Sequence, residues 1–126
     1  MDILTQADGQ KPPEPSITGP ITLPRFKKAV YVRELGLGEL VDVDRLSVKA
    51  DGEGNQVFDN AAYNAALIIV AACDEKGNRL FTAEDIPAIL KWPGRDARLV
   101  TRAALAENPL TESGIDNLSK NSPAGQ

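Results

Sequence analysis

Asn60-Ala61-Ala62-Tyr63-Asn64-Ala65-Ala66-Leu67-Ile68-Ile69-Val70-Ala71-Ala72-Cys73 is the stretch on which the fold turns. Alanine is the strongest helix former, and the stretch holds neither glycine nor proline, so its expected state is a helix. Asp59 or Asn60 can accept hydrogen bonds from the first free backbone amides, and either makes a good N-cap. From Ala65 to Cys73 every residue is apolar. A helix with no polar face must be covered on several sides. It is therefore the central helix of the domain, or one shared with another subunit. Tyr63, Leu67 and Val70 on it are candidate protein-contact residues.

Downstream, Asp74-Glu75-Lys76-Gly77-Asn78-Arg79 reads as a turn, and Leu80-Phe81 return to the core. Thr82-Ala83-Glu84-Asp85 resembles a capping box, with an acidic residue three positions after the hydroxyl. The helix it opens carries Ile86, Ile89 and Leu90 inward, with Pro87 tolerated in the first turn. Pro93-Gly94 stops it. Another helix spans about Arg95 to Glu107, with Ala97, Val100, Ala104 and either Leu105 or Leu99 on its inner face. Asn108-Pro109 ends that one, and Thr111 caps a last short helix through Leu118.

Upstream, Val30 and Val32 alternate with Ala29, Tyr31 and Arg33, which predicts a strand. Ile21-Thr22-Leu23 is its candidate partner, confined to an edge by Pro24. Lys27-Lys28 is poor chemistry for a tight hairpin turn. After Gly36-Leu37-Gly38, Leu40, Val43 and Leu46 follow helical spacing up to Ala50, while the β-branched Val41, Val43 and Val48 support a competing strand. Asp51-Gly52-Glu53-Gly54-Asn55 is a loop. Residues 1–20 hold Pro12, Pro13, Pro15 and Pro20 among polar residues, too few apolar groups to offset chain entropy. The expected organisation is thus a disordered proline-rich tail (1–20), one folded domain (21–118) and a flexible C-terminal tail (119–126). The fold class is α+β and helix-dominated, an N-terminal strand or hairpin followed by about four helices.

Fourteen cations against eighteen carboxylates give a net charge of −4. That sign opposes the phosphate attraction on which non-specific nucleic-acid binding depends. The lone Cys73 fits a reducing compartment. The first residues have neither a basic start nor a long apolar run, and no apolar run reaches the roughly 18 residues of a membrane span. The cytoplasm is the expected location.

The chain has no histidine, so the commonest general base near neutral pH is missing. Cys73 is flanked by Asp74 and Glu75, which do not favour a thiolate, and reads as a structural thiol. Asp42 with Asp44, and Glu84 with Asp85, read as solvated faces. The Asp74 loop between two helices has the outline of a calcium site, yet counting from Asp74 puts Lys76 third and Arg79 sixth. Counting from two residues earlier puts Ala83 at the twelfth place, where a glutamate is required. No enzyme, metal or cofactor is expected. Trp92 is a core anchor or an interface residue. Arg95, Arg98 and Arg102 share a helix face. Behind the Pro93-Gly94 turn they have helix–turn–helix proportions, but the acidic balance favours a protein-contact patch or a solvated face.

The order of phrases carries a resemblance. Val30-Tyr31-Val32-Arg33-Glu34-Leu35 is followed by the alanine-rich helix and then by Asp74-Glu75-Lys76-Gly77-Asn78-Arg79-Leu80-Phe81-Thr82-Ala83-Glu84-Asp85. Ala103-Ala104-Leu105-Ala106-Glu107-Asn108 and Leu118-Ser119-Lys120-Asn121-Ser122 come after it. The succession, over about residues 28 to 122, is similar to the tail assembly chaperones of long-tailed bacteriophages and related prophages. In that family a D-x-x-G-x-x-L-F-x-x-x-D turn precedes the penultimate helices, and an N-x-L-like phrase leads to a terminal K-N-S. Pro109 departs from the pattern, standing where the family often has Asn-Gly-Leu, and the proline-rich start is longer. The resemblance implies a non-enzymatic role: binding the tape measure protein, keeping its apolar helices soluble and helping recruit tail tube protein. It also implies that a longer frameshifted form exists in many relatives. Self-association through small residues such as Ala65, Ala66 and Ala72 is expected as well. The alternatives are a structural adaptor that stays in the phage particle and a small DNA-binding regulator.

Overall fold

A computed structural model describes residues 2–108. Its elements, in chain order, are α1 (Gln6–Gln10), β1 (Ile17–Leu23), β2 (Lys28–Arg33), α2 (Leu37–Leu46), β3 (Val48–Ala50) and β4 (Gln56–Phe58). Then come α3 (Asn60–Ala71), β5 (Ala72–Cys73), a 3-10 turn (Ala83–Asp85), α4 (Ile86–Ile89) and α5 (Gly94–Glu107). The class is α+β, with the strands of the N-terminal hairpin ahead of the main helices. The expected helix at 111–118 and the tail at 119–126 lie outside the described residues.

Helix α3 is the centre. Asp59 caps it, its Oδ1 accepting from the Ala61 amide at 3.1 Å while Oδ2 pairs with Lys49 Nζ at 2.6 Å. From Ala65 to Ala71 no residue is more than 2% exposed. Coverage comes from α2 through Val43, from α4 through Ile89, from α5 through Val100 and Ala104, and from Val30 and Val32 of the sheet. The helix is therefore sealed inside one copy of the chain.

The sheet order is β1-β2-β5, all antiparallel. β1 begins at Ile17, so the ordered chain starts earlier than its proline content suggests. Pro20 is accommodated because β1 is an edge strand and its register shifts between Thr18 and Ile21. Gly19 sits in that irregularity at φ 145°, preceding a cis bond to Pro20. A Cβ at Gly19 would lie 2.8 Å from Tyr31 Cδ2, closer than side chains pack. The turn from β1 to β2 places Lys27 at φ 57°, the left-handed region.

A second small hairpin, β3–β4, is present where the sequence reading has the end of a helix and a loop. The helical reading of 39–46 and the strand reading of Val48 are each correct for part of the segment. The β3–β4 turn repeats the chemistry of the turn after α3. Asp51 Oδ1 accepts from the Glu53 and Asn55 amides at 2.8 and 2.9 Å. Asp74 Oδ1 accepts from the Lys76 and Asn78 amides, both at 2.9 Å. Each turn closes on a glycine of positive φ, Gly54 at 84° and Gly77 at 87°. Asp-x-x-Gly-Asn thus occurs twice, and each aspartate is spent on its own loop.

Helix α5 is fastened to the hairpin at both ends by side chains. Asp96, fully buried, accepts from the Arg25 and Phe26 amides through Oδ2, both at 3.0 Å. At the other end Asn108 Oδ1 accepts from the Leu35 amide at 2.7 Å, and its Nδ2 donates to the Arg33 carbonyl at 3.1 Å. Glu107 accepts from the Ser16 hydroxyl and, at 2.7 Å, from that of Thr18. Two expected core positions differ. Leu80 and Leu90 are 47% and 46% exposed, Leu90 because α4 is a single turn ending at Ile89; of the alternatives Leu99 and Leu105 on α5, Leu99 takes the inner position.

Removing Asp96 leaves backbone amides of the hairpin turn without their acceptor, so Asp96→Ala should cost about 2–4 kcal/mol in urea unfolding. A loss under about 0.5 kcal/mol would show that the turn is held by other means. Serine and threonine hydroxyls hold the Glu107 carboxyl below its ordinary value of 4.5. A carboxyl whose pKa falls on folding stabilises the native state above its unfolded pKa and stops doing so as pH drops through the folded one. Stability should therefore decline below pH 4.5, and Glu107→Gln should make that decline shallower in a pH series of thermal melts.

Candidate functional site

The hairpin turn and the corner between α4 and α5 meet in an aromatic cluster. Trp92 stands edge-on to Phe26 at 4.9 Å and to Phe81 at 5.5 Å between ring centroids. Asp96 fixes the arrangement by gripping the Phe26 amide. Trp92 is half-buried, whereas Phe26, Leu80 and Leu90 are 43–47% exposed. The T-shaped contacts follow from the quadrupoles of the rings, whose edges are positive and faces negative.

Five cations neighbour the cluster in sequence. Arg25 and Lys27 lie in the hairpin turn, Lys28 opens β2, and Lys91 and Arg95 flank Trp92 and Asp96 in sequence; all five are exposed. Among the described residues, none of the five forms an ion pair with a carboxylate. Of the nearby acids, Asp85 accepts from the Thr82 amide at 2.7 Å and Asp96 is buried, leaving Glu84 exposed. In a chain of net charge −4 this end is locally basic and locally apolar.

The basic character continues along α5. Arg98 and Arg102 line a shallow groove of about 260 Å³ with Thr101 and Leu105. Arg98 also borders a second depression with Asn64, Gly94 and Ala97. Both arginines are exposed, and Arg95 precedes them by one turn.

The seven expected contact residues therefore separate. Trp92, Arg95, Arg98 and Arg102 fall on one continuous region of α4–α5. Leu67 and Val70 are 0% and 1% exposed and belong to the core, so they cannot serve as surface contacts in the folded chain. They are interior because α2, α4 and α5 close around α3. Tyr63 is half-buried against Phe58 at 5.6 Å and lines neither of the depressions beside Arg98. Phe26, Arg25, Lys27 and Lys28 stand outside the set expected from the sequence, although Lys27-Lys28 is the only adjacent basic pair in it.

Cys73 is fully buried, and burial pushes its thiol up, against an opposing pull from Arg33. Glu39 is bound by both Arg33 and Arg79, which ties α2 to β2 and to the turn after β5. Among the described residues no three His, Cys, Asp or Glu side chains gather as metal ligands. No described helix is long and apolar enough to cross a membrane. No family model, no curated protein and no solved structure matches the chain.

Surface and core roles are separable by mutation. Arg95→Glu with Arg98→Glu should change unfolding free energy by no more than about 0.5 kcal/mol. Leu67→Ala should cost about 2–5 kcal/mol. Urea titrations of the two variants check the division, and a large loss from the arginine pair would place those side chains in the scaffold.

Proposed function

We propose that the protein is a non-enzymatic binding module, a tail assembly chaperone of a long-tailed phage acting in the host cytoplasm. In this reading it binds the tape measure protein, keeps it soluble and helps bring tail tube subunits to it. The phage context rests on the succession of phrases from Val30 to Ser122. The observation that carries the binding role is the packing of Trp92 against an exposed Phe26, with neighbouring arginines and lysines that are exposed and form no ion pair among the described residues.

Tryptophan and arginine dominate binding hot spots because each combines a large contact area with few rotamers or a rigid fork of donors. A basic, apolar surface suits an amphipathic helix whose apolar stripe is bordered by carboxylates. Tape measure helices would dock by that stripe and leave by breaking a small number of charge contacts. Because α3 is sealed, the client contact is assigned to the outer surface of α4 and α5 and to the hairpin turn. Deep insertion of α3 between subunits is not required.

Co-expression with the tape measure protein of the same genome tests the reading. The client should become soluble and co-purify, and a triple Arg95→Glu, Arg98→Glu, Arg102→Glu variant should lower recovery at least about tenfold, a 1.4 kcal/mol effect. A client that remains insoluble with the native chain, or that never co-purifies, overturns the assignment. Mass spectrometry of finished particles separates a chaperone, which is absent from them, from a structural adaptor, which is retained.

A further inference from the structure

The chain carries at its start a segment with the chemistry that the basic aromatic end would recognise. Asp2-Ile3-Leu4-Thr5-Gln6-Ala7-Asp8 places two large apolar residues beside carboxylates. Its local shape is set in advance. The Thr5 amide donates to Asp8 Oδ2 at 3.0 Å, and the Asp8 amide donates to Thr5 Oγ1 at 3.2 Å, a reciprocal cap on α1.

What the segment lacks is a place to bury its apolar pair. Leu4 occupies the position that usually packs against the fourth helical residue, but here that residue is Gly9, which has no side chain. Ile3 and Leu4 are accordingly 84% and 76% exposed, and no residue of α1 is buried. The arm leaves the body at Ser16, which is held by Glu107 at the C-terminal end of α5. The basic aromatic end lies at the other end of that helix, about 18 Å away at 1.5 Å per residue. Glu14 and Pro15 line a depression with Arg33 and Lys76, so the base of the arm lies against that part of its own copy and not at the aromatic cluster.

We infer that the N-terminal arm of a second copy docks on the basic aromatic end. Ile3 and Leu4 would cover the exposed edges of Phe26 and Leu90, and Asp2 would face the cations of the hairpin turn. The inference rests on reading this end as a docking surface, as proposed above for the client. It adds that the protein occupies the surface itself until a client displaces the arm. Charge complementarity selects the occupant. The arm is acidic and apolar, and the surface is basic and apolar. The exposed α2 pair, Leu37 and Val41, shares its helix with Glu39, Asp42 and Asp44 against the single cation Arg45, the wrong balance for an acidic arm.

Sedimentation velocity of the full chain without any client decides the point, which keeps the outcome independent of the tape measure assignment. The native chain should associate with rising concentration, and raising the salt should weaken that association. An arm variant, Ile3→Ser with Leu4→Ser, and a surface variant, Arg25→Glu with Arg95→Glu, should each weaken association at least tenfold. All four substituted side chains are exposed, so thermal melts at concentrations where the native chain is monomeric should stay unchanged. Mixing the two variants should restore a one-to-one complex, since one supplies an intact arm and the other an intact surface lacks nothing but its own arm. A native chain that stays monomeric at every concentration, an arm variant that associates like the native chain, or a mixture that fails to pair overturns the inference.

Discussion

A helix with no polar side has to be enclosed, and the rest of this molecule is organised as its enclosure. From Ala65 to Ala71 the backbone of α3 is surrounded by apolar side chains on every side. Short α4, amphipathic α2 and α5, and the valines of β2 each supply one wall. None of these walls is large. Their shared dependence on α3 makes the domain cooperative, because loss of any wall exposes the same helix to water.

Polar contacts then decide where the walls sit. Hydrophobic burial is non-directional, so it would tolerate α5 sliding along the hairpin. Asp96 at the start of α5, with Glu107 and Asn108 at its end, removes that freedom by accepting from or donating to named groups of the hairpin. Asp96 also has a favourable location in the first turn of its helix, where the partial positive charge of free amides stabilises a carboxylate. Fixing the hairpin turn against α5 brings Phe26 to Trp92. The position of the exposed aromatic cluster is thus a consequence of a structural fastening.

The parts legible in the sequence were those whose signal is local. Alanine content and Asp59 announce α3, alternation of Val30 and Val32 announces β2, and helical spacing of Val100 and Ala104 announces α5. The β3–β4 hairpin escaped because each strand has only three residues, and Val48 followed directly on a helical pattern. The recurrence of Asp-x-x-Gly-Asn at 51–55 and 74–78 was the available clue, since the second copy was already recognisable as a turn. Asp96 gave no local clue at all, its partners lying 70 and 71 residues away. At the candidate site the residue types at Trp92, Arg95, Arg98 and Arg102 were readable. That Leu67 and Val70 are interior depends on which elements close over α3, and periodicity along one helix does not encode that.

One copy of the chain seals α3 by itself and keeps the side chains of the candidate site on the outside. Hydrogen exchange of the dilute protein, followed amide by amide, measures this directly. The account predicts that the α3 amides are the slowest in the molecule and exchange only through global unfolding. Fast exchange in α3 at concentrations where the chain is monomeric would contradict it, because that result would mean that the helix is completed only by a neighbouring copy.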